Sequence, residues 1–202
     1  MKIDPASLDP ASRHDLLMSL IVPRPIAFVS TIGENGMFNL APFSTFTSLA
    51  SKPALVCFSV GWRLSDGLKK YTLKNIEFSK DFVINVVTEE LAEAMNQASA
   101  EFTGMIDKFK AVGLTPQKSD VVKSPMIAES PVNMECKLLQ LLEFGEAPEG
   151  NNVIVGQIML VHIKDDLWTG NYVEPRKLKA IARTGGERDY CRTTDIFKMK
   201  RP

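Results

Sequence analysis

A mainly β protein with helical insertions, built as an antiparallel barrel that is closed or split, is the fold class this sequence predicts. Three observations carry the prediction. From Val132 the chain alternates strictly, with Val132, Met134, Cys136 and Leu138 set against Asn133, Glu135 and Lys137. That two-residue period belongs to a half-buried antiparallel strand. Asn35-Gly36 stands between two apolar runs, the position and chemistry of a tight hairpin turn. Helical and extended patterns alternate irregularly along the chain, without the rhythm of a doubly wound parallel sheet.

The elements follow in order. Residues 1–15 hold Pro5 and Pro10 and little periodicity, so an extended arm is expected, and Leu16, Leu17, Leu20 and Ile21 fit a short helix that stops before Pro23. Residues 25–30, rich in β-branched and aromatic side chains, read as a strand. Its return run, residues 37–41, ends at Pro42, which cannot donate to a ladder and marks an edge, a bulge or the end of pairing. Ser44, Thr45, Thr47 and Ser48 then alternate with Phe43, Phe46 and Leu49. Such a segment fits either a solvated sheet face or a site for a polar planar ligand or a phosphate. Residues 54–60 form the next strand, ended by Gly61. A loop with Arg63 leads to a helix over 68–78, whose N-terminus beside Ser65 and Asp66 would join Arg63 in a phosphate site.

Residues 81–87 read as a buried strand. Thr88 is then an N-cap with Glu89 and Glu90 in the first turn, and Leu91, Ala94, Met95 and Ala98 make one buried stripe. Residues 100–130 are expected to form short helices and loops over one barrel face. After the alternating strand comes a turn over 145–152. A second long strand, 153–163, is interrupted by Gly156, which signals a bulge or the close approach of another group.

Composition narrows the function. One domain over residues 1–202 is expected, and Lys plus Arg and Asp plus Glu balance at 24 each, so no basic field invites nucleic acid. Cys57, Cys136 and Cys191 are scattered, without a CxxC pair, which speaks against disulfides and zinc. No apolar leader and no run near the ~20 residues of a membrane span occur, so a soluble cytoplasmic protein is expected. Dinucleotide, P-loop, GxSxG, HExxH and EF-hand patterns are missing, and His14 and His162 are the two histidines. An enzyme built on this chain borrows its reactivity from an organic cofactor, with no metal.

Val22-Pro23-Arg24-Pro25-Ile26-Ala27, Val29-Ser30-Thr31 and Asn39-Leu40-Ala41-Pro42-Phe43-Ser44 with Phe46 resemble the opening signature of the flavin reductase-like, FMN-binding split-barrel family. Lys70, Thr72 and Asn75 stand where that family shows Lys-Asp-Thr with a following Asn, although Tyr71 here replaces the Asp. Residues 81–87 resemble its Phe-Val-x-Asn-Val strand, and Pro131-Val132 with residues 135–138 a later one. Gly156 with His162-Ile163-x-Asp165, then Arg183-x-Gly185-Gly186 with Tyr190, resemble its closing motifs. The matches keep their order over residues 16–200.

The resemblance implies an antiparallel split β-barrel that binds FMN, as a homodimer with sites near the subunit interface. Ser30, Thr31, Asn39, Ala41, Pro42 and Ser44 would line the isoalloxazine and ribityl chain, mostly through backbone groups. Ser59, Arg63, Lys70 and Thr72 would hold the phosphate. His162 would face the open side of the flavin, with Arg183 and Tyr190 at the mouth, and His162 and Arg183 are the catalytic candidates. The implied activity is NAD(P)H-dependent flavin reduction or related oxygenase chemistry on small molecules, with hydride passing to flavin N5. A split barrel that carries FMN without reducing it is the alternative.

Overall fold

A computed structural model describes residues 1–63, 65–102, 106–186 and 188–200. The N-terminal segment is not extended. A 3-10 turn occupies Pro5–Ser7 and helix α1 runs over Pro10–Leu20. Asp4 and Asp9 cap the two starts, Asp9 Oδ1 accepting from the N–H groups of Ala11 and Ser12 at 3.0 Å each. Pro5 and Pro10 sit at the first helical position, where the missing N–H costs nothing and φ is already set. Arg24 then closes the C-terminal end of α1, donating to the carbonyls of Met18 and Ile21.

The strands are β1 (Arg24–Pro25), β2 (Ala27–Ile32), β3 (Phe38–Phe43), β4 (Thr47–Ser51) and β5 (Ala54–Gly61). Helix α2 (Tyr71–Ser79), β6 (Asp81–Val86), α3 (Ala92–Ala98) and α4 (Lys108–Ala111) follow. Next come β7 (Pro116–Gln117), β8 (Met126–Ile127), β9 (Val132–Phe144) and β10 (Asn151–Ile163). The chain closes with α5 (Pro175–Leu178), β11 (Ile181–Arg183) and β12 (Tyr190–Arg192).

Seven strands form one antiparallel sheet in the order β3-β2-β6-β9-β10-β5-β4. Its two ends, β3 and β4, are neighbours in sequence but not in the sheet, so the barrel is split along that seam. In the β2–β3 hairpin only Gly36 takes a positive φ, at 77°. Asn35 serves the turn through its side chain instead, its Oδ1 accepting from Met37 N–H at 3.1 Å. Pro42 lies in the pairing of β2 with β3, and β3 is an edge strand, the place where a residue without N–H is tolerated.

Two apolar clusters sandwich β2 and β6. Ala27, Val29, Phe58, Phe82, Ile84, Cys136 and Ile154 fill the interior, closed by Leu73 and Ile76 of α2. Phe28, Leu40, Val87, Leu91, Met95, Phe109 and Ile127 form the second cluster outside, under α3 and α4. Each fully buried Phe or Ile contributes about 1.5–3 kcal/mol relative to exposure. Gly156 does both things expected of it: the β9–β10 register slips beside it, and the ring of Phe82 lies across it. A Cβ there would stand 2.3 Å from Phe82 Cζ.

The alternating face of β9 is where the expectation fails. Asn133 and Glu135 are buried, not solvated, because residues 119–127 wrap over that face. Their backbone N–H groups are taken by side chains of β6 and β9. Glu135 accepts from Asp120 (2.9 Å), Val121 (2.7 Å) and Val122 (3.0 Å). Asp81 accepts from Lys123 and Ser124 N–H at 3.1 Å each and from the Ser124 hydroxyl at 2.7 Å. Asn85 accepts from Ile127 N–H at 2.9 Å. A period of two identifies the faces of a strand; what covers them depends on chain far away in sequence.

Candidate functional site

A cavity of about 970 Å³ opens beside β3, between residues 33–37, the loop residues Arg63, Ser65, Asp66 and Lys70, the start of α2, and residues 99–102 with Ile106 and Lys108. Its wall includes Phe38, Asn39, Ala41, Pro42 and Phe43, from both faces of β3, so it runs along the strand's outer edge. That edge carries backbone donors and acceptors that no sheet partner uses.

Helix α2 begins later than the sequence suggests, at Tyr71. The loop closes on itself first: Arg63 N–H donates to Leu68 O at 2.8 Å, Leu68 N–H to Asp66 Oδ1 at 3.0 Å, and Gly67 takes φ 66°. Ser65 and Asp66 therefore do not flank the helix start. Lys70 does, as an N-cap residue in extended conformation with no capping bond from its side chain. The first turn of α2 meets the cavity with Lys70, Tyr71, Thr72 and Lys74 in its wall. Uncapped N–H groups and two ammonium groups make this end attractive to an anion.

Arg63 also reaches the cavity, but its guanidinium is forked onto the Asp66 carboxylate, with Nε 3.0 Å from Oδ1. The Leu68 N–H, together with Arg63, holds the Asp66 carboxyl below its ordinary value. Tyr71 lies under two cations, its ring centroid 5.4 Å from the Arg63 guanidinium and 5.9 Å from Lys74 Nζ. Having an aromatic ring where the resemblance expects an acid removes one negative charge from the cavity wall. Lys70 and Lys74 make no salt bridge among the described residues.

Beneath this wall the polar residues tie three elements together. Asn39 Nδ2 donates to Thr72 Oγ1 at 3.0 Å, and Asn75 Nδ2 to Thr31 Oγ1 at 3.0 Å. Thr31 and Thr72 are buried. Ser30 points to the opposite face of β2, accepting from Asn85 Nδ2 at 3.0 Å and donating to Pro125 O.

The remaining candidates lie elsewhere. Ser59 donates to Thr45 Oγ1 at 2.8 Å, joining β5 to the connection that holds Ser44, and neither serine lines the cavity. His162 Nε2 is 2.6 Å from Glu135 Oε1 and 4.0 Å from Asp120 Oδ2 on the covered face of β9. Burial pushes the Glu135 carboxyl up, and the N–H groups of Asp120 and Val121, with His162 and Val122, outweigh it and hold the group below its ordinary value. His162, Glu135 and Asp120 together offer atoms that could ligate a cation, a grouping not anticipated from two histidines far apart. Both Glu135 oxygens are already engaged by N–H donors. Arg183 and Tyr190 face each other across the β11–β12 pair, guanidinium 5.1 Å from ring centroid, in the three-stranded sheet β1-β11-β12.

The structure thus gathers Asn39, Ala41, Pro42, Arg63, Lys70 and Thr72 in one wall and adds residues that sequence reasoning missed. Lys74 could have been found, since it stands four residues from Lys70 on one helix face. Lys108 could not. It comes from the distant 100–130 segment, its Nζ donating to Ala98 O (2.9 Å) and Ala100 O (3.3 Å), 5.2 Å from the ring centroid of Phe102.

Residues 18–176 match a family model described as the flavin reductase like domain. An uncharacterised protein of Aquifex aeolicus (strain VF5) is 38% identical over 175 residues, covering 86% of this chain and 87% of its own. Nitrilotriacetate monooxygenase component B from Bacillus cereus superposes with a TM-score of 0.93 at 27% identity, over 98% of each chain. Pseudomonas fluorescens 2-nitrobenzoate 2-nitroreductase superposes with a TM-score of 0.89 at 29% identity, over 100% of this chain and 96% of its own.

Proposed function

Since the chain belongs to the flavin reductase-like domain family, we propose that it is an FMN-binding oxidoreductase, reducing flavin with NAD(P)H or working in related oxygenase chemistry on small molecules. The cavity beside β3, with the uncapped start of α2 and its two lysines, is the observation that carries this reading. Lys70, Lys74 and the first N–H groups of α2 would hold the phosphate, with Thr72 beneath. The edge of β3 from Asn39 to Pro42 would run beside the ribityl chain and ring, offering backbone N–H groups to the charge that builds on reduction. Bound flavin would supply the redox chemistry, accepting a hydride at N5. The chain's own share is placement and exclusion of water.

A homodimer belongs to the same proposal. All of β4 is exposed, and Leu49, Leu139, Leu142, Phe144, Met159 and Val161 are large exposed apolar side chains on β4, β9 and β10. Apolar surface of that kind is commonly covered by a partner. No helix among the described residues is long and apolar enough to cross a membrane, and we place the protein in the cytoplasm.

The test is an absorbance spectrum of purified protein with added FMN, followed by NADH or NADPH without oxygen. Flavin bands that bleach support the reductase. Bound flavin that stays oxidised supports a carrier, and failure to bind flavin sinks the proposal.

A further inference from the structure

The turn that leads into β3 joins two residues with a chemistry of their own. Of the nine asparagines in the chain, only Asn35 is followed by glycine. Asparagine is a thermolabile residue, because the backbone nitrogen of the next residue can attack its side-chain amide carbon. A Cβ on that next residue obstructs the approach, and Gly36 has none.

We propose that Asn35-Gly36 is a self-modification site, at which the folded chain converts Asn35 to aspartate and isoaspartate and so weakens anion binding in the neighbouring cavity. The effect on the cavity rests on the flavin reading above; the modification does not.

The step needs no oxidant or reductant. Gly36 N gives its proton to hydroxide and bonds to Asn35 Cγ; the Cγ–Nδ2 bond breaks, and nitrogen leaves as ammonia with a proton from water. Water then opens the imide ring. Breaking the bond from Gly36 N to Cγ leaves aspartate, and breaking its bond to the main-chain carbonyl leaves isoaspartate.

The turn prepares both reacting groups. Gly36 takes φ 77°, and its N–H donates to Gly33 O at 2.9 Å, which fixes the attacking nitrogen. The side chain of Asn35 folds back across the turn: Oδ1 accepts from Met37 N–H at 3.1 Å, and a Cβ on Gly33 would stand 2.9 Å from it. The Met37 N–H polarises the amide carbonyl and faces the negative charge that gathers on Oδ1 as the nitrogen adds. Holding the two groups in one conformer lowers the entropy still to be lost in bringing them together. Glu34, Asn35 and Gly36 are exposed, so hydroxide and water reach them.

Position gives the reaction its consequence, since Asn35 stands in the cavity wall. Among the described residues that wall holds four cations, Arg63, Lys70, Lys74 and Lys108, and three acids, Glu34, Asp66 and Glu101. A carboxylate at residue 35 makes the two numbers equal. Isoaspartate also adds a carbon to the backbone between Ile32 and Phe38, the pair at which β3 joins β2.

The experiment ages purified protein at mildly alkaline pH, folded and in urea, with Asn35→Gln alongside, whose longer side chain would have to close a larger ring. Peptide mass spectrometry follows every asparagine, and calorimetry gives the FMN affinity of fresh, aged and Asn35→Asp protein. In the folded wild type, residue 35 should exchange NH for O before any other asparagine, and Asn35→Gln should show no change there. Conversion confined to the urea sample, or arriving first at another asparagine, overturns the proposal. Asn35→Asp should bind FMN about two- to fivefold more weakly, the range of one exposed charge interaction. Aged wild type should drift toward that value while aged Asn35→Gln keeps the affinity it began with. Equal affinity in fresh, aged and Asn35→Asp protein overturns the link to the cavity. Failure of fresh wild type to bind FMN removes the flavin reading and that link, and the mass measurement still decides the modification.

Discussion

The covered face of β6 and β9 and the cavity beside β3 are both rich in polar groups, and they treat them in opposite ways. On the covered face every carboxylate is saturated from within: Glu135 receives three backbone N–H groups and His162, and Asp81 receives two N–H groups and a hydroxyl. In the cavity wall the helix start has no side-chain cap, and Lys70 and Lys74 make no salt bridge among the described residues. Polar groups that satisfy one another hold a fold together; polar groups left facing a space await something that enters it.

Glu135→Ala presses hardest on this contrast. It strands three N–H groups that a loop was built around, and should cost about 3 kcal/mol or more in urea unfolding, with flavin affinity kept in the folded fraction. Little loss of stability would mean that the loop is held by apolar packing and the contrast is false. Next in size, Lys70→Ala with Lys74→Ala should weaken FMN binding about ten- to a hundredfold. Stability should stay within about 0.5 kcal/mol, because neither ammonium makes a salt bridge among the described residues and the contact of Lys74 with the Tyr71 ring is exposed and weak. A large drop in melting temperature would assign those lysines to the fold.

The two regions should also separate along the pH axis. Glu135 titrates below its ordinary value of 4.5 in the folded chain, so its contribution is complete above that value and drains away as acid protonates the folded group. Acid unfolding followed by circular dichroism should therefore be shallower in Glu135→Ala than in the wild type. Lys108 works at the alkaline end. Its folded value near 8 lies below its ordinary 10.5, so the unfolded chain binds more protons between the two and stability rises slightly with pH across that window. Anion affinity of the cavity moves the other way, falling as pH passes about 8, and Lys108→Gln should remove that step from a titration with FMN.

What could be read from the sequence divides along the same line. Local signals were legible: the turn at Gly36, the buried stripe of Leu91, Met95 and Ala98, the twofold meaning of Gly156. In the N-terminal segment the signal was present and misread, since Pro5 and Pro10 follow Asp4 and Asp9 and so begin helical turns. The start of α2 was misplaced because Asp66 serves its own loop rather than a helix. Residues of one hairpin and one helix, Asn39 to Pro42 and Lys70 with Thr72, were found because short-range motifs keep them together. Lys108 and Phe102 were not, since they lie far from β3 and α2 in sequence and only the tertiary fold brings them to that wall. Glu135 looked like a solvent residue for the same reason.

The ring of Phe82 fills the space where a side chain of residue 156 would begin. That space is a single volume held in common by β6 and β10, two strands separated in the sheet by β9. The two positions are therefore free to change only as a pair: a larger residue at 156 demands a smaller one at 82, and the barrel's inner diameter is conserved by the exchange. The register slip of β10 against β9 occurs at this same glycine, so the shared volume also fixes where along the barrel the two long strands change step.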